Sequence, residues 1–373
     1  MSLIRLARNF LGPRLAVIDT LIVLAKIVLA LAWFLILTLC LTWLERKESA
    51  VIQDRIGANR ASILGLRVIG LFQPCADAIK MIFKEDFTPP FSKKFLHNLA
   101  PFVSFFFVAV TISVIPFGNE INIAGRTIKL QIVDTDVGLL LILALLSLGI
   151  YGILLSGWSS NNRYTLIGGL RGAAQMISYE IALGLSLVGL IIVYPSLRLS
   201  AIIAYQGEHF WGWIPKWGVF LQPLGFLLFL FAALAETKRV PFDLPEGESE
   251  IIGFFTEYSG LKWGLFMMTD FMEIIIVSCL LTTLFFGGWQ VPWLFADGFH
   301  FPWGGTWLLP RAVVIILQLL AFNLKVFFFC WFQILVRWTY PRFRYDQLMD
   351  FGWKLLIPLC FVNIVGTAII VIL

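Results

Sequence analysis

The sequence contains little charge: of its 373 residues only 14% are Asp, Glu, Lys or Arg, whereas 59% are hydrophobic. Soluble proteins have about 25% charged and roughly 45–50% apolar residues. Too few polar side chains remain to cover a globular surface, so a soluble fold is excluded. Because roughly 20 apolar residues suffice to cross a bilayer as a helix, the chain is long enough to cross a membrane many times.

Metal-binding and redox motifs are also missing. The five cysteines never form a Cys-x-x-Cys pair, and the three histidines lie far apart in the sequence. Such spacings provide no local ligand set for a zinc site or an iron–sulfur cluster. Four of the cysteines lie in apolar runs, where Cys usually packs as a small hydrophobic side chain. We therefore expect no metal and no bound redox cofactor on this chain.

Nucleotide and nucleic-acid sites are not indicated either. The sequence has no Walker A motif and no His-Glu-x-x-His, and Gly168, Gly169 and Gly172 do not match a dinucleotide fingerprint. The formal charge of +5 comes from 28 Lys and Arg against 23 Asp and Glu. In a membrane protein, basic residues spread over many loops set topology. We expect no nucleic-acid partner.

The apolar stretches predict an all-α fold, a polytopic membrane helix bundle of about eight transmembrane helices, since helices satisfy their own backbone groups in lipid. The first span follows arginines that resemble a signal peptide, but it is too long for one and we expect it to be retained. Without a repeat or linker, residues 1–373 are expected to form a single integral membrane domain. The spans are residues 17–44, 96–116, 137–157, 173–194, 218–236, 263–286, 310–336 and 354–373.

Loop charge predicts the orientation, because Lys and Arg stay on the cytoplasmic side. The connections 45–95, 158–172, 237–262 and 338–353 together hold 16 basic residues, and the opposite connections hold four. The three arginines of the N-terminal tail disagree with this majority. We expect a multi-pass protein of the bacterial inner membrane with both termini outside.

An acidic segment follows the fifth span. Residues 236–257, ETKRVPFDLPEGESEIIGFFTE, contain six carboxylates against Lys238 and Arg239. Like charges this close repel, which raises pKa values and favours proton exchange. Pro241 and Pro245 stiffen the backbone, and Phe254 lies in the apolar stretch that follows. The alternative is an ordinary solvated loop. The six carboxylates are Glu236, Asp243, Glu246, Glu248, Glu250 and Glu257.

Ionisable residues inside the spans are a second signal, because each costs about 3 kcal/mol at the bilayer centre unless it is paired or hydrated. Glu180 lies in the fourth span and Glu236 ends the fifth. Asp270 and Glu273 are three residues apart, on one face of the sixth span, and Lys325 is near the middle of the seventh. Interhelical ion pairing, above all of Lys325 and Glu273, is one interpretation. A proton path through the helices is the one we favour.

The first inner loop predicts an amphipathic helix from about Pro74 to Glu85. Apolar side chains such as Ile79, Ile82 and Phe83 share one face, and Asp77 and Lys80 are on the other. Such a helix lies in the membrane interface. It either walls a slot through which an amphipathic, long-tailed molecule enters from the lipid, or only packs against the bundle.

Three blocks of sequence resemble a known family. They are LERKESAVIQDRIGANR with QPCADAIKMIFKED, then GWSSNNRYTLIGGLRGAAQMISYEIALG, then ETKRVPFDLPEGESEIIGFFTEYSGLKWGLFMMTDF. These blocks, within 44–271, are similar to the heel membrane subunit of the respiratory NADH:quinone oxidoreductase (complex I), the H subunit of bacteria and subunit 1 of mitochondria. The resemblance implies a subunit that encloses much of the quinone chamber and couples quinone reduction to proton translocation.

The resemblance also implies substrate, partners and residue roles. The substrate would be a quinone, ubiquinone or menaquinone, reduced by electrons from an iron–sulfur cluster of the hydrophilic arm, and antiporter-like membrane subunits would be further partners. Carboxylates that correspond to the family's coupling residues are Glu180, Glu236, Glu248, Glu250, Glu257 and Asp270. Residues assigned to the quinone chamber are Arg46, Gln53, Arg55, Arg60, Asp77, Lys80 and Phe254.

Two departures from the family pattern affect the expected quinone entrance. Ala58 replaces the usual Pro of a Gly-Pro-Asn-Arg turn, and the stretch between Arg60 and Gln73 is longer than usual. Two alternative functions remain open: the related subunit of a membrane-bound nickel–iron hydrogenase, and a stand-alone ion transporter. A transporter commonly shows repeats and broken helices, and the sequence shows no such pair.

Overall fold

The computed structural model describes residues 2–63, 65–123, 126–210, 212–247 and 253–373. Within these ranges the chain is mainly helical, which agrees with the predicted helix bundle. The helices are α1 (Ser2–Ile52), α2 (Gln73–Phe83), α3 (Lys94–Thr111), α4 (Gly138–Ser159), α5 (Arg163–Val193), α6 (Leu199–Gln206), α7 (Gly218–Leu221), α8 (Pro223–Glu236), α9 (Gly260–Phe285), α10 (Arg311–Thr339), α11 (Tyr345–Asp350) and α12 (Ile357–Ile372). A π-helical turn, Phe351–Leu356, joins α11 to α12.

Short strands decorate one end of the bundle, in the connections predicted to lie outside. They pair as three small antiparallel sheets, in the orders β1-β2, β3-β4 and β5-β6-β7. These sheets contribute little to the core, and we assign them no chemistry. The strands are β1 (Ile121–Ile123), β2 (Arg126–Ile128), β3 (His209–Phe210), β4 (Ile214–Pro215), β5 (Leu294–Phe295), β6 (Gly298–His300) and β7 (Thr306–Leu308).

Seven helical segments of the described residues are long and apolar enough to cross a membrane. They match seven of the eight predicted spans, although α1 extends well beyond the predicted 17–44. Residues 218–236 differ, because they form α7 and the 14-residue α8 with a break at Gln222. Pro223 explains the break, since it lacks an amide hydrogen and favours the first turn of a new helix. The fifth segment is therefore a shorter apolar helix than predicted.

Helix α9 forms the centre of the bundle. Nearly all of its residues from Thr269 to Phe285 are buried, and it contacts α1, α2, α3, α8 and α10. Helices α3, α4 and α5 pack in sequence beside it, and α5 also packs on α8 and α12. Small residues permit this close packing: a Cβ atom at Gly152 of α4 would lie 2.7 Å from the Ser104 amide nitrogen of α3. Ionisable side chains on α9 are consequently shielded from water and lipid.

The amphipathic helix predicted in the first inner loop is present as α2. Pro74 is its buried residue, and Met81 touches α9 beside Gly264. Most of its apolar face has no protein cover, because Ile79, Ile82 and Phe83 are 57%, 60% and 84% exposed. Helix α2 therefore packs on the bundle by one edge and presents an apolar face to its surroundings.

Candidate functional site: a buried charge network

The chain turns back into the protein directly after α8. Thr237, Lys238 and Arg239 are all buried, and Lys238 adopts a positive φ of 53°. Pro241 and Pro245 have no amide hydrogen and cannot continue a helix. The first part of the acidic segment is thus folded against α9 and does not form a solvated loop.

Lys238 lies between two carboxylates of α9. Its Nζ is 3.1 Å from Oδ1 of Asp270 and 3.2 Å from Oε2 of Glu273, and all three side chains are almost fully buried. Burial alone lowers the pKa of Lys238, but the charges of Glu273 and Asp270 outweigh it and raise that pKa. The predicted placement of Asp270 and Glu273 on one helix face is confirmed, and Lys238 is the cation that holds them.

A second group of charges ties α1 and α10 to this turn. Arg239 donates to Oε2 of Glu45 at 2.7 Å, and Arg337 of α10 pairs with the other oxygen of the same carboxylate. The Arg239 guanidinium also lies 4.3 Å from the ring centroid of Phe271 on α9, a cation–π distance. Glu45 thus joins two cations from different parts of the chain.

The next two carboxylates of the acidic segment complete the network. Asp243 accepts from Arg342 at 2.8 Å, and burial raises the pKa of Asp243 although the Arg342 charge opposes this. Glu246 lies within electrostatic reach of two further acids, Asp270 and Asp243. Burial, followed by the charges of Asp270 and Asp243, holds the pKa of Glu246 well above its usual value. Neighbouring negative charges favour the protonated form of a carboxyl group.

The network has more acids than bases. Six carboxylates face four cations, and an unbalanced charge in a buried site is costly unless a proton neutralises it. Up to two exchangeable protons would balance the ten groups. We call them the buried charge network: Glu45, Glu236, Lys238, Arg239, Asp243, Glu246, Asp270, Glu273, Arg337 and Arg342.

Glu236 connects the network to the middle of the bundle. It is 4% exposed, and among the described residues its Oε2 has no hydrogen-bond partner. It interacts electrostatically with Glu273, Glu180 and Lys238. Glu180 on α5 in turn accepts a hydrogen bond from Ser147 on α4. The predicted carboxylates Glu236 and Asp270 therefore lie in the network, and Glu180 lies within electrostatic reach of Glu236.

The other predicted residues of the acidic segment lie elsewhere or are not described. Glu257 accepts from the Asn162 amide at 2.8 Å, beside the α4–α5 connection. Phe254 is fully buried in a separate apolar cluster, edge to face with Phe255 and Phe266. Glu248 and Glu250 lie outside the described residues. The assigned roles of these four residues stay predictions.

The predicted first-loop residues divide into two groups. Arg46 and Asp77 form an ion pair of 2.5 Å that connects α1 to α2. Arg55 donates to Gln53 at 2.7 Å, on the surface. Arg60 and Lys80 are exposed. The pair between Arg46 and Asp77 fixes α2 beside the end of α1, close in sequence to Glu45.

The departure at Ala58 lies in a tight backbone crossing. A Cβ atom at Gly70 would lie 1.9 Å from the carbonyl oxygen of Ala58, and Gly70 has a φ of 83°. Only glycine fits at that position. The lengthened loop therefore folds back on its own turn, held by the glycine.

Lys325 does not contribute to the network. Its Nζ donates to the backbone carbonyl oxygens of Phe286, Gly288 and Gln290 at 2.6–3.1 Å and lies 4.6 Å from the Trp217 ring centroid. These carbonyls follow the end of α9, where a cation is favoured. Interhelical ion pairing is the alternative interpretation for Glu273 and Lys325. Glu273 is ion-paired, but with Lys238 of the turn after α8. Among the described residues Lys325 binds backbone carbonyls and forms no ion pair.

Sequence reasoning missed three members of the network. Glu45, Arg337 and Arg342 were not singled out, although each lies at or just beyond the inner end of a predicted span. Charges at such positions are usually solvated, so nothing marks them individually. The available signal was that charged residues occur at the inner ends of three predicted spans. These charges can meet only if the acidic segment folds inward.

Comparison with known proteins agrees with this architecture. The family model described as NADH dehydrogenase matches residues 25–368. The chain belongs to the NADH dehydrogenase family. All ten residues of the buried charge network lie within the matched range.

Curated relatives of this NADH dehydrogenase family chain match nearly end to end. One from Flavobacterium psychrophilum, named as the H subunit of NADH-quinone oxidoreductase, is 42% identical over 95% of this chain and 99% of its own. A relative from Geobacter metallireducens, named as the first H subunit of the same enzyme, is 45% identical over 95% and 98%. The H subunit of Bdellovibrio bacteriovorus is 43% identical over 89% and 91%. The similarity extends beyond the three blocks to the outer connections and the last two spans.

Proposed function

We propose that this chain is the H subunit of a proton-pumping NADH-quinone oxidoreductase, and that the buried charge network couples quinone reduction to proton translocation. The observation that carries the proposal is the excess of carboxylates in a buried site, at six against four cations. Relatives of nearly equal length that bear this name support it. The proton is the ion that such a site exchanges.

The substrate would be a quinone with a long apolar tail. Its route would begin at the uncovered apolar face of α2, where Ile79, Ile82 and Phe83 are exposed. The ion pair of Arg46 with Asp77 fixes this helix beside the end of α1. The electrons would come from an iron–sulfur cluster of the hydrophilic arm, since this chain is expected to carry no redox centre. Antiporter-like membrane subunits would receive the coupled change.

The network suggests how a change at its edge is transmitted. Glu246 is a half-buried member in the loop after α8, and its raised pKa favours a bound proton. A negative charge or a proton demand arising at the reduced quinone would shift this proton. The strengths of the ion pairs that Lys238 forms with Asp270 and with Glu273 would then change. The altered field at Glu236 and Glu180 would change their protonation, as expected for coupled carboxylates that share macroscopic pKa values.

The topology is part of the proposal. The charge asymmetry of the loops orients both termini outward, in the inner membrane of a bacterium. The buried charge network then lies at the cytoplasmic end of the bundle, next to the proposed docking side of the hydrophilic arm. Residues 1–373 would act as one membrane domain.

Replacement Glu236→Gln tests the coupling role, because Gln keeps the shape of the side chain but cannot release a proton. In native membranes we expect an assembled enzyme whose quinone-linked proton pumping falls at least about tenfold, the effect of a 1.4 kcal/mol barrier. Pumping is measured as acidification driven by NADH and related to the amount of enzyme. Glu208→Gln is the matched control, since Glu208 is an exposed carboxylate paired with Lys216. Unchanged pumping in Glu236→Gln would refute the coupling role.

A further inference from the structure

A cavity with no part in the proposed coupling opens where α3, α4 and α5 approach the inner membrane surface. Its volume is about 370 Å³, and its lining combines basic, amide and aromatic groups. Lys93 precedes α3, Trp158 lies near the end of α4, and Arg163 begins α5. Asn161 and Asn162 form the tight turn between α4 and α5. The cavity therefore lies at the level where helices meet their inner connections.

The charge of this cavity is positive and is not neutralised by the part of the chain that the structure describes. Among the described residues neither Lys93 nor Arg163 forms an ion pair with a carboxylate, and both are exposed. Glu257 lines an adjoining cavity, and one of its oxygens accepts from Asn162. The Lys93 ammonium lies 4.5 Å from the Trp158 ring centroid. The first turn of α5 adds amide hydrogens that favour an anion.

An apolar strip continues from the cavity along α5. Leu166 lines the cavity and is 36% exposed, and Leu170 and Ile177 are 51% and 54% exposed. These residues lie four and eleven positions apart on one helix face. Trp158, half exposed beside the cavity, is of the residue type that is enriched at membrane interfaces. The same ligand would thus meet cations at its head and hydrocarbon along its tail.

We propose that this cavity binds the head group of an anionic glycerophospholipid, whose acyl chains lie against Leu166, Leu170 and Ile177. Basic pockets between helices on the cytoplasmic side are suited to such head groups. A free phosphate would use the cations but leave the apolar strip uncovered. A partner subunit would need carboxylates opposite Lys93 and Arg163. One phospholipid molecule would place its negative head group at the two cations and its acyl chains on the apolar strip.

Photo-cross-linking in the assembled complex tests this site directly. p-Benzoylphenylalanine is introduced in place of Leu166, and the complex is embedded in nanodiscs of equimolar phosphatidylglycerol and phosphatidylcholine. After illumination, mass spectrometry identifies what is attached to position 166. We expect phospholipid adducts enriched in phosphatidylglycerol, by about fivefold for each of the two cations and so roughly 25-fold overall. Millimolar inorganic phosphate should not reduce the yield.

Charge-removing variants supply the second measurement. Lys93→Gln with Arg163→Gln should abolish the preference for phosphatidylglycerol while adducts with phosphatidylcholine persist. The matched control is Arg344→Gln with Lys354→Gln, which removes the same charge at exposed residues already paired with Asp346 and Asp350, and should keep the preference. A peptide of another subunit attached at position 166, equal labelling by both lipids, or displacement by phosphate would each overturn the proposal. The readout does not depend on electron transfer, so it is independent of the coupling experiment.

Discussion

Two clusters of charge, at opposite ends of the bundle, are built in contrasting ways. The outer cluster consists of Asp134 with Lys129, Arg198 and Ser200, and the exposed carboxylates Glu120 and Asp136 lie at its edge, each 3.9 Å from one of the two cations. Asp134 accepts from Arg198 Nε at 2.7 Å, from Lys129 at 2.9 Å and from Ser200 at 3.1 Å. Hydrogen bonding to Arg198 lowers the pKa of Asp134 to about 2. In the buried charge network the effect on the pKa is the opposite, because burial holds the pKa of Glu246 well above its usual value.

The difference separates structural charge from exchangeable charge. A carboxylate surrounded by donors stays ionised at every physiological pH and serves as a clamp. A group of carboxylates that outnumber their buried counter-ions must hold protons, and those protons respond to any new charge nearby. Both clusters are made of the same residue types. Hydrogen-bond donors around Asp134 and burial of the network decide that the first cluster holds the outer loops and that the second is suited to proton exchange.

Removing Lys238 should have the largest effect. Lys238→Met leaves Asp270 and Glu273 buried without their shared cation, and breaking a buried pair costs about 3–5 kcal/mol. We expect little assembled complex on native gels of solubilised membranes. Adding Asp270→Asn and Glu273→Gln to Lys238→Met removes the uncompensated charge, so assembly should return while proton pumping does not. Normal assembly of Lys238→Met alone would show that these charges are not held as described.

Glu246 should give the next largest effect, visible in the pH dependence of stability. Its folded-state pKa is raised, so its stabilising contribution is complete below the unfolded pKa and is lost as pH rises through the folded pKa. Glu246→Gln cannot lose that proton. The temperature at which the purified complex dissociates should therefore fall less steeply toward alkaline pH in this variant than in the parent. Equal slopes in both, with Glu208→Gln as control, would contradict a raised pKa.

A change in the outer cluster should have the smallest effect on stability, and its pH dependence should have the opposite sign to that of Glu246. The pKa of Asp134 is depressed, so its contribution is fully present above the unfolded pKa and disappears only as pH falls toward 2. Arg198 is partly exposed, and we expect Arg198→Gln to cost at most about 1 kcal/mol. Thermal denaturation at low and high salt should show a loss that salt diminishes. If Arg198→Gln assembled fully but pumped fewer protons, the outer cluster would also take part in coupling, which would contradict the distinction between the two clusters.

Much of the fold follows from sequence because lipid imposes strict limits on backbone and charge. Long apolar runs predicted about eight membrane-spanning helices, of which seven are present at that length among the described residues, and period and composition predicted α2. The break at Gln222 was missed, because hydropathy averages over a single Pro223. The three-residue spacing of Asp270 and Glu273 predicted that they lie on one helix face. Spacing does not predict pairing between segments that are distant in the sequence. Thus Lys238 proved to be the partner of Glu273, and Lys325 instead binds backbone carbonyls after α9.

The sequence predicted several residues of the candidate site, but it did not predict which of them contact each other. Glu180, Glu236 and Asp270 could be identified as costly charges in lipid; Glu236 and Asp270 lie in the network, and Glu180 lies within electrostatic reach of Glu236. Glu257 came from the same acidic segment, yet it contacts Asn162 on the other side of a buried apolar cluster. Sequence proximity does not determine which way a loop side chain faces once the loop folds inward. Glu45 and Arg337 were missed because only the tertiary fold brings them together, and their positions in the sequence do not indicate this.

The most direct test is redox-difference infrared spectroscopy of the assembled complex as its quinone is reduced. The account predicts a protonated-carboxyl band that changes on reduction, is lost or shifted in Glu246→Gln and in Asp270→Asn, and is unaffected in Asp134→Asn. Deuterium exchange should shift the band, because the proton is exchangeable. A band that persists unchanged in both network variants, or that disappears in Asp134→Asn, would contradict the claim that the buried charge network changes its protonation when quinone is reduced.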